Sequence, residues 1–159
     1  MKRSASLASD QRGAVFVEHL IAYLPVMFFF LATWQLLELC AAHLIVKRAA
    51  SAAARAASVV LPDDPAYYDG AGKDKFTGKK QEEIQLAAAL ILATSPHFSS
   101  DFKVVVPETS GSAPLTATVT AQFHCFAGWV SLVCGPSGAR ELTGKATYAY
   151  QGASYDYDI

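Results

Sequence analysis

One carboxylate in this 159-residue chain stands where a carboxylate is costly. Glu18 lies at the edge of an apolar run. A charge at mid-membrane costs roughly 2.5–3.5 kcal/mol on insertion scales, and less near the interface. Two readings are open. In one, Glu18 sits in the headgroup layer and merely snorkels. In the other it awaits a cationic partner. Its local string is Gln11-Arg12-Gly13-Ala14-Val15-Phe16-Val17-Glu18, in which a short basic leader ends in Gly13 and Glu18 is the fifth residue after it.

The cysteines offer redox chemistry. Cys125 and Cys134 are nine positions apart and bracket FAGWVSLV. In an exported domain they read as a disulfide worth about 2–3 kcal/mol on the loop-entropy model. In a reducing compartment they are two buried thiols. Cys40 is left over, as inert core or an intersubunit contact. Asp63, Asp64, Asp69 and Asp74 make calcium conceivable, but their spacing does not match an EF-hand and the default is a solvated linker. His19, His43, His97 and His124 have no carboxylate, Ser or Cys partner by spacing. There is no Gly-rich phosphate loop and no HExxH. The expectation is no enzyme, no cofactor and no metal.

Composition says where such residues would work. The chain is 52% hydrophobic and 17% charged, with mean hydropathy +0.24 and net charge −1. That excludes disorder. It argues against nucleic acid, because no basic excess exists to neutralise phosphates. The hydrophobicity is concentrated. Leu20 to Leu37 (LIAYLPVMFFFLATWQLL) carries no formal charge and reads as a transmembrane helix, kinked at Pro25. Lys2, Arg3 and Arg12 precede it, so the positive-inside rule keeps the N-terminus cytoplasmic. Lys47, Arg48 and Arg55 follow and weaken that asymmetry. A cleaved secretory signal is the rival, but the run exceeds the usual ~7–15-residue h-region and lacks a clean A-x-A site.

The string RGAVFVEHLIAYLP, the apolar run and the Ala-rich KRAASAAARAAS resemble the TadE/TadG pseudopilins, minor pilins of the tight-adherence (Flp) type IV pilus. The likeness covers about Arg12 to Val60, and the C-terminal part only loosely through ELTGKATYAY. It implies cleavage by a prepilin peptidase between Gly13 and Ala14 on the cytoplasmic side. It implies that Glu18 is the glutamate that follows the cut; the next residue, usually aromatic in the family, is His19. The implied partners are prepilin peptidase, other pilin or pseudopilin subunits and the Tad inner-membrane assembly platform. The implied location is the bacterial inner membrane, single-pass, with the C-terminal domain in the periplasm or carried into a surface pilus that supports adhesion.

A physical case stands beside the resemblance. Cleavage would free an ammonium at Ala14, a natural partner for a membrane-level carboxylate. Glu18 of one subunit would then neutralise Ala14 of its neighbour and set the axial register, the best-attested use of a buried polar group. Losing three cations and one anion would take the net charge from −1 to −3. Two other functions stay open: a solitary membrane-anchored periplasmic binding or sensor module, and a pseudopilin of a type II-like secretion system.

The elements follow from pattern. Residues 1–13 read as a leader, 14–42 as the membrane helix, and 43–60 as its extension, rich in Ala and free of Gly and Pro. Lys47, Ser51, Arg55 and Ser58 mark its polar face. Residues 61–159 read as a small exported α+β domain, giving a pilin-like plan. Pro62 and Pro65 stop the first helix. A second helix is expected from about Lys80 to Thr94, with Ile84, Ala87, Ala88 and Ile91 as its stripe, widened by Leu86 and Leu90 and buried against a sheet. Strands are expected at Lys103–Val106, Leu115–Cys125 and Leu142–Tyr150, forming an antiparallel sheet. The clearest alternation sets Leu115, Ala117, Val119, Ala121, Phe123 and Cys125 against Thr116, Thr118, Thr120, Gln122 and His124. The tail SYDYDI is expected to be exposed.

Overall fold

A run of Ala without Gly or Pro should hold a helix, and it does. In the computed structural model, which describes residues 12–107, 114–125, 134 and 136–150, helix α1 (Arg12–Val60) runs 49 residues. At 1.5 Å per residue that is about 74 Å. The helix is unbroken at Pro25, although Pro25 has no N–H to give the Ile21 carbonyl. The leader up to Gln11 and the tail from Gln151 lie outside the described residues.

The fold is α+β: one long apolar helix, a second helix and a three-stranded antiparallel sheet in the order β1-β2-β3. The strands are β1 (Phe98–Val105), β2 (Leu115–His124) and β3 (Ala139–Tyr148). β2 alternates as its sequence demands. Leu115, Ala117, Val119, Ala121 and Phe123 are buried, while the Thr face is half-buried. The register pairs Ala117 with Ala146, Val119 with Gly144 and Ala121 with Leu142. A sheet face this rich in small residues lets α1 lie close, through Ala42, Val46, Ala49, Ala50, Ala53, Ala54 and Ala57. The approach is tightest at Gly144, where a Cβ would sit 2.6 Å from the Val46 carbonyl oxygen.

Four details differ from expectation. β1 starts at Phe98, five residues early, with a register shift between Phe98 and Phe102. A bulge of this kind spoils the alternation that sequence reading relies on. β3 starts at Ala139, just after Gly138, whose φ of 64° turns the chain into the strand. Helix α2 (Gly78–Leu92) packs chiefly on α1 and meets the sheet mainly at β1. The broad Ala face of α1 serves both neighbours, so α2 needs one stripe: Lys80, Ile84, Ala88 and Leu92. Leu86 and Leu90 stay 54% and 65% exposed. Ser58 is also buried, donating to the Arg55 carbonyl at 2.7 Å, so the polar face of α1 ends at Arg55.

The linker between the helices is latched by Lys80. Its ammonium is fully buried and donates to the carbonyls of Leu61 and Asp63, both at 2.9 Å. It also lies 5.3 Å from the Tyr68 ring centroid. A cation at the end of α1 suits the helix dipole. Burial lowers the Lys80 pKa, and Asp63, Asp74 and Asp64 oppose that shift. Lys80→Met removes both of these bonds, while the Leu61 carbonyl keeps the Asp74 N–H. We expect it to cost about 2–4 kcal/mol: hydrogen bonds to charged groups are worth about 1.5–3 each, and part of that is offset because no ammonium is left to bury. A thermal unfolding series on the full chain measures this.

Candidate assembly site

The N-terminal half of α1 presents its apolar side chains outward. Phe16, Ile21, Leu24, Val26, Phe29 and Phe30 are all exposed. A helix this long and apolar suffices to cross a bilayer. Exposed apolar surface on this scale needs lipid or other helices.

Glu18 interrupts that surface. It lines a shallow groove with Gly13, Ala14, Val17, Ile21 and Ala22. Ala14, Glu18 and Ala22 recur every four residues and so share a face, and the small side chains leave room for a neighbouring backbone. Glu18 is exposed, and it has no hydrogen bond or ion pair among the described residues. Gly13 sits in the first turn, where a Cβ would meet nothing within 4 Å among the described residues. The fold therefore places no demand for glycine at position 13. α1 begins at Arg12, so the Gly13–Ala14 bond is helical here.

A second polar group lies further along α1. Trp34 Nε1 donates to Glu38 Oε1 at 2.8 Å. Gln35 is only 3% exposed, and its Nε2 and Glu38 Oε2 have no hydrogen-bond partner among the described residues. From Glu18 to Glu38 is 20 residues, about 30 Å of helix, which matches the hydrocarbon thickness of a bilayer. Trp34 then falls at the level where aromatic belts form. Sequence reading missed this pair, although a polar residue inside an apolar run was the available signal.

The cysteines are brought together. Cys125, at the end of β2, is disulfide-bonded to Cys134, with Cα atoms 6.4 Å apart. Cys134 is buried, and Cys125 packs against the core. Cys40 is free and exposed. Reducing the bond should lower stability by about 2.5 kcal/mol on the loop-entropy model, read as a drop in unfolding midpoint under reductant that a Cys125→Ala/Cys134→Ala chain reproduces.

The acidic linker is occupied by its own loop. Asp63 accepts from Tyr68, Asp64 accepts from the Ala66 N–H, and Asp69 pairs with Lys79 at 4.0 Å. Asp74 accepts from Tyr150, whose pKa burial pushes up to about 12, reinforced by that hydrogen bond. Tyr148 shifts the other way: its hydrogen bonds with Ser51 and Arg55 lower its pKa. Among the described residues no group of three or more His, Cys, Asp or Glu is placed to hold a metal. His97 lies against Phe123 with centroids 5.7 Å apart and the ring planes tilted by 54°.

No family model, no curated protein and no solved structure matches the chain.

Proposed function

We propose that the chain is a TadE-like minor pilin or pseudopilin of a tight-adherence pilus. In this reading prepilin peptidase cuts it after Gly13, and it enters the assembly through its N-terminal helix, with the head in the periplasm. The observation that carries the reading is Glu18: a carboxylate on the exposed apolar face of α1, without a partner among the described residues and one turn from Ala14. Two further facts support it. Position 13 is glycine where the fold asks for none. The helix runs unbroken from the apolar segment into the head, so a contact at Glu18 would fix the height of the head in an assembly.

Co-production with a prepilin peptidase tests the reading. The wild-type chain should convert to a shorter form. Gly13→Val, which meets open space in the fold, should remain uncut while still inserting in the membrane. A wild-type chain that stays full length in the presence of active peptidase would favour the solitary-anchor alternative.

A further inference from the structure

Two helical faces of the head lie open, and they are unlike. The outer face of α1 above the apolar segment forms a shallow groove lined by Arg48, Ser51, Ala52, Arg55, Ala56 and Val59. Between Ala41 and Val60 the helix has three cations, Lys47, Arg48 and Arg55, and no acid. Lys47 and Arg48 are exposed and form no ion pair among the described residues. Arg55 Nη2 donates to the Tyr148 hydroxyl at 3.2 Å, which holds the guanidinium at the groove edge.

The outer face of α2 has the opposite character. Its buried stripe is Lys80, Ile84, Ala88 and Leu92. At about 100° per residue the far side therefore carries Glu82, Glu83, Leu86 and Leu90. All four are exposed, and neither glutamate has an ion pair among the described residues. Lys79 shares this side but pairs with Asp69 at 4.0 Å. Because α2 buries its stripe on α1, the Leu pair points away from the α1 of its own chain. The two faces cannot meet within one chain.

We propose that the α2 face of one copy docks in the α1 groove of a second copy. Glu82 and Glu83 meet Arg55, Leu86 lies on Ala52, and Leu90 packs on the aliphatic stem of Arg48. The charges are complementary, and the small residues of the groove leave room for the two Leu side chains. The levels along the helix axis also agree. Lys80 reaches the Leu61 carbonyl, and α2 packs back along α1. Glu82 to Leu86 therefore stand level with about residues 59 to 55 of their own α1. The stagger between copies rests on the pilin reading. Glu18 of one copy beside Ala14 of its neighbour lowers the first by four residues, about 6 Å. That shift brings Glu82 level with about residue 55 of the neighbour, and Leu86 with about residue 51. Each copy uses a different face, so the contact is heterologous and repeats from copy to copy.

Paired cysteines test the contact in the full chain, made with prepilin peptidase and reconstituted in lipid vesicles. Cys40→Ala first removes the free thiol. A chain carrying both Ala52→Cys and Leu86→Cys should then form a ladder of dimers, trimers and longer species on oxidation with copper phenanthroline. Either cysteine alone should leave monomers, and the two single variants mixed should stop at dimers. Glu82→Gln/Glu83→Gln should reduce the yield about fivefold, the scale of an exposed ion pair. Dimers from a single cysteine, no product from the double variant, or a yield indifferent to the glutamates would overturn the proposal. The intact mass of the same samples shows whether the leader is cut. A cut chain without the ladder sinks this contact and leaves the pilin reading standing. An uncut chain with the ladder does the reverse.

Discussion

Gly144→Val should separate the sheet from its helix. At Gly144 a Cβ would sit 2.6 Å from the Val46 carbonyl oxygen, 2.8 Å from the Val46 carbonyl carbon and 3.0 Å from the Lys47 nitrogen. All three are backbone atoms of a helix, so no rotamer relieves the clash. Only a shift of α1 away from β3 does. That shift would loosen the packing of Ala42, Val46, Ala49 and Ala50, which are buried against the sheet or α2. Overpacking of a well-packed core costs about 1–3 kcal/mol and occasionally more. Gly144→Ala should sit at the top of that range, and Gly144→Val, with two further carbons, above it. Against a stability of about 5–15 kcal/mol for an ordinary domain, the valine variant should lose much of its cooperative unfolding. Thermal melts and limited proteolysis of the full chain would show this. Gly13→Ala, which meets nothing within 4 Å, should melt like the wild type. A Gly144→Val chain with the wild-type midpoint would contradict the packing described here.

Glu18→Ala should act on assembly and leave the monomer intact. Its side chain has no hydrogen-bonding partner among the described residues, so the fold described here loses nothing. The apolar segment becomes more apolar, so insertion should be at least as good. In the proposed assembly, however, the Ala14 ammonium of the neighbour loses its counter-charge inside the membrane. An unpaired charge there costs roughly 2.5–3.5 kcal/mol, about a hundredfold in association. The expected result is a chain that is inserted and cut but absent from sheared surface filaments and from crosslinked oligomers. Glu18→Gln should fail in the same way, because the amide fills the space without the charge. Normal piliation by Glu18→Ala would defeat the pairing argument.

How far the sequence carries these conclusions depends on the range of the interaction. α1 is legible because its signal is local: an uncharged run followed by Ala without Gly or Pro. β2 is legible because one face is buried and the other wet, which forces strict alternation. β1 is half legible, since the stretch Phe98–Asp101 enters through a register shift and has no period to read. Lys80 was legible only as a helix residue. Its partners are the carbonyls of Leu61 and Asp63, and a main-chain carbonyl leaves no mark on residue type. Gly144 did leave one, since a lone glycine inside a strand pattern signals a close backbone approach. The placement of α2 was misjudged because an amphipathic stripe shows that a helix is buried on one side but does not name the surface that buries it. The candidate site was legible at Gly13, Ala14 and Glu18 because its logic is linear in the chain. The buried amide of Gln35 and the meeting of Tyr148 with Ser51 and Arg55 required the fold.

The measurement closest to the central claim is the intact mass of the membrane-extracted wild-type protein, made with and without an active prepilin peptidase. The account predicts a mature chain that begins at Ala14, lacking residues 1–13 and carrying net charge −3, formed only when the peptidase is present. A full-length chain under both conditions, or a cut at any other bond, would contradict it.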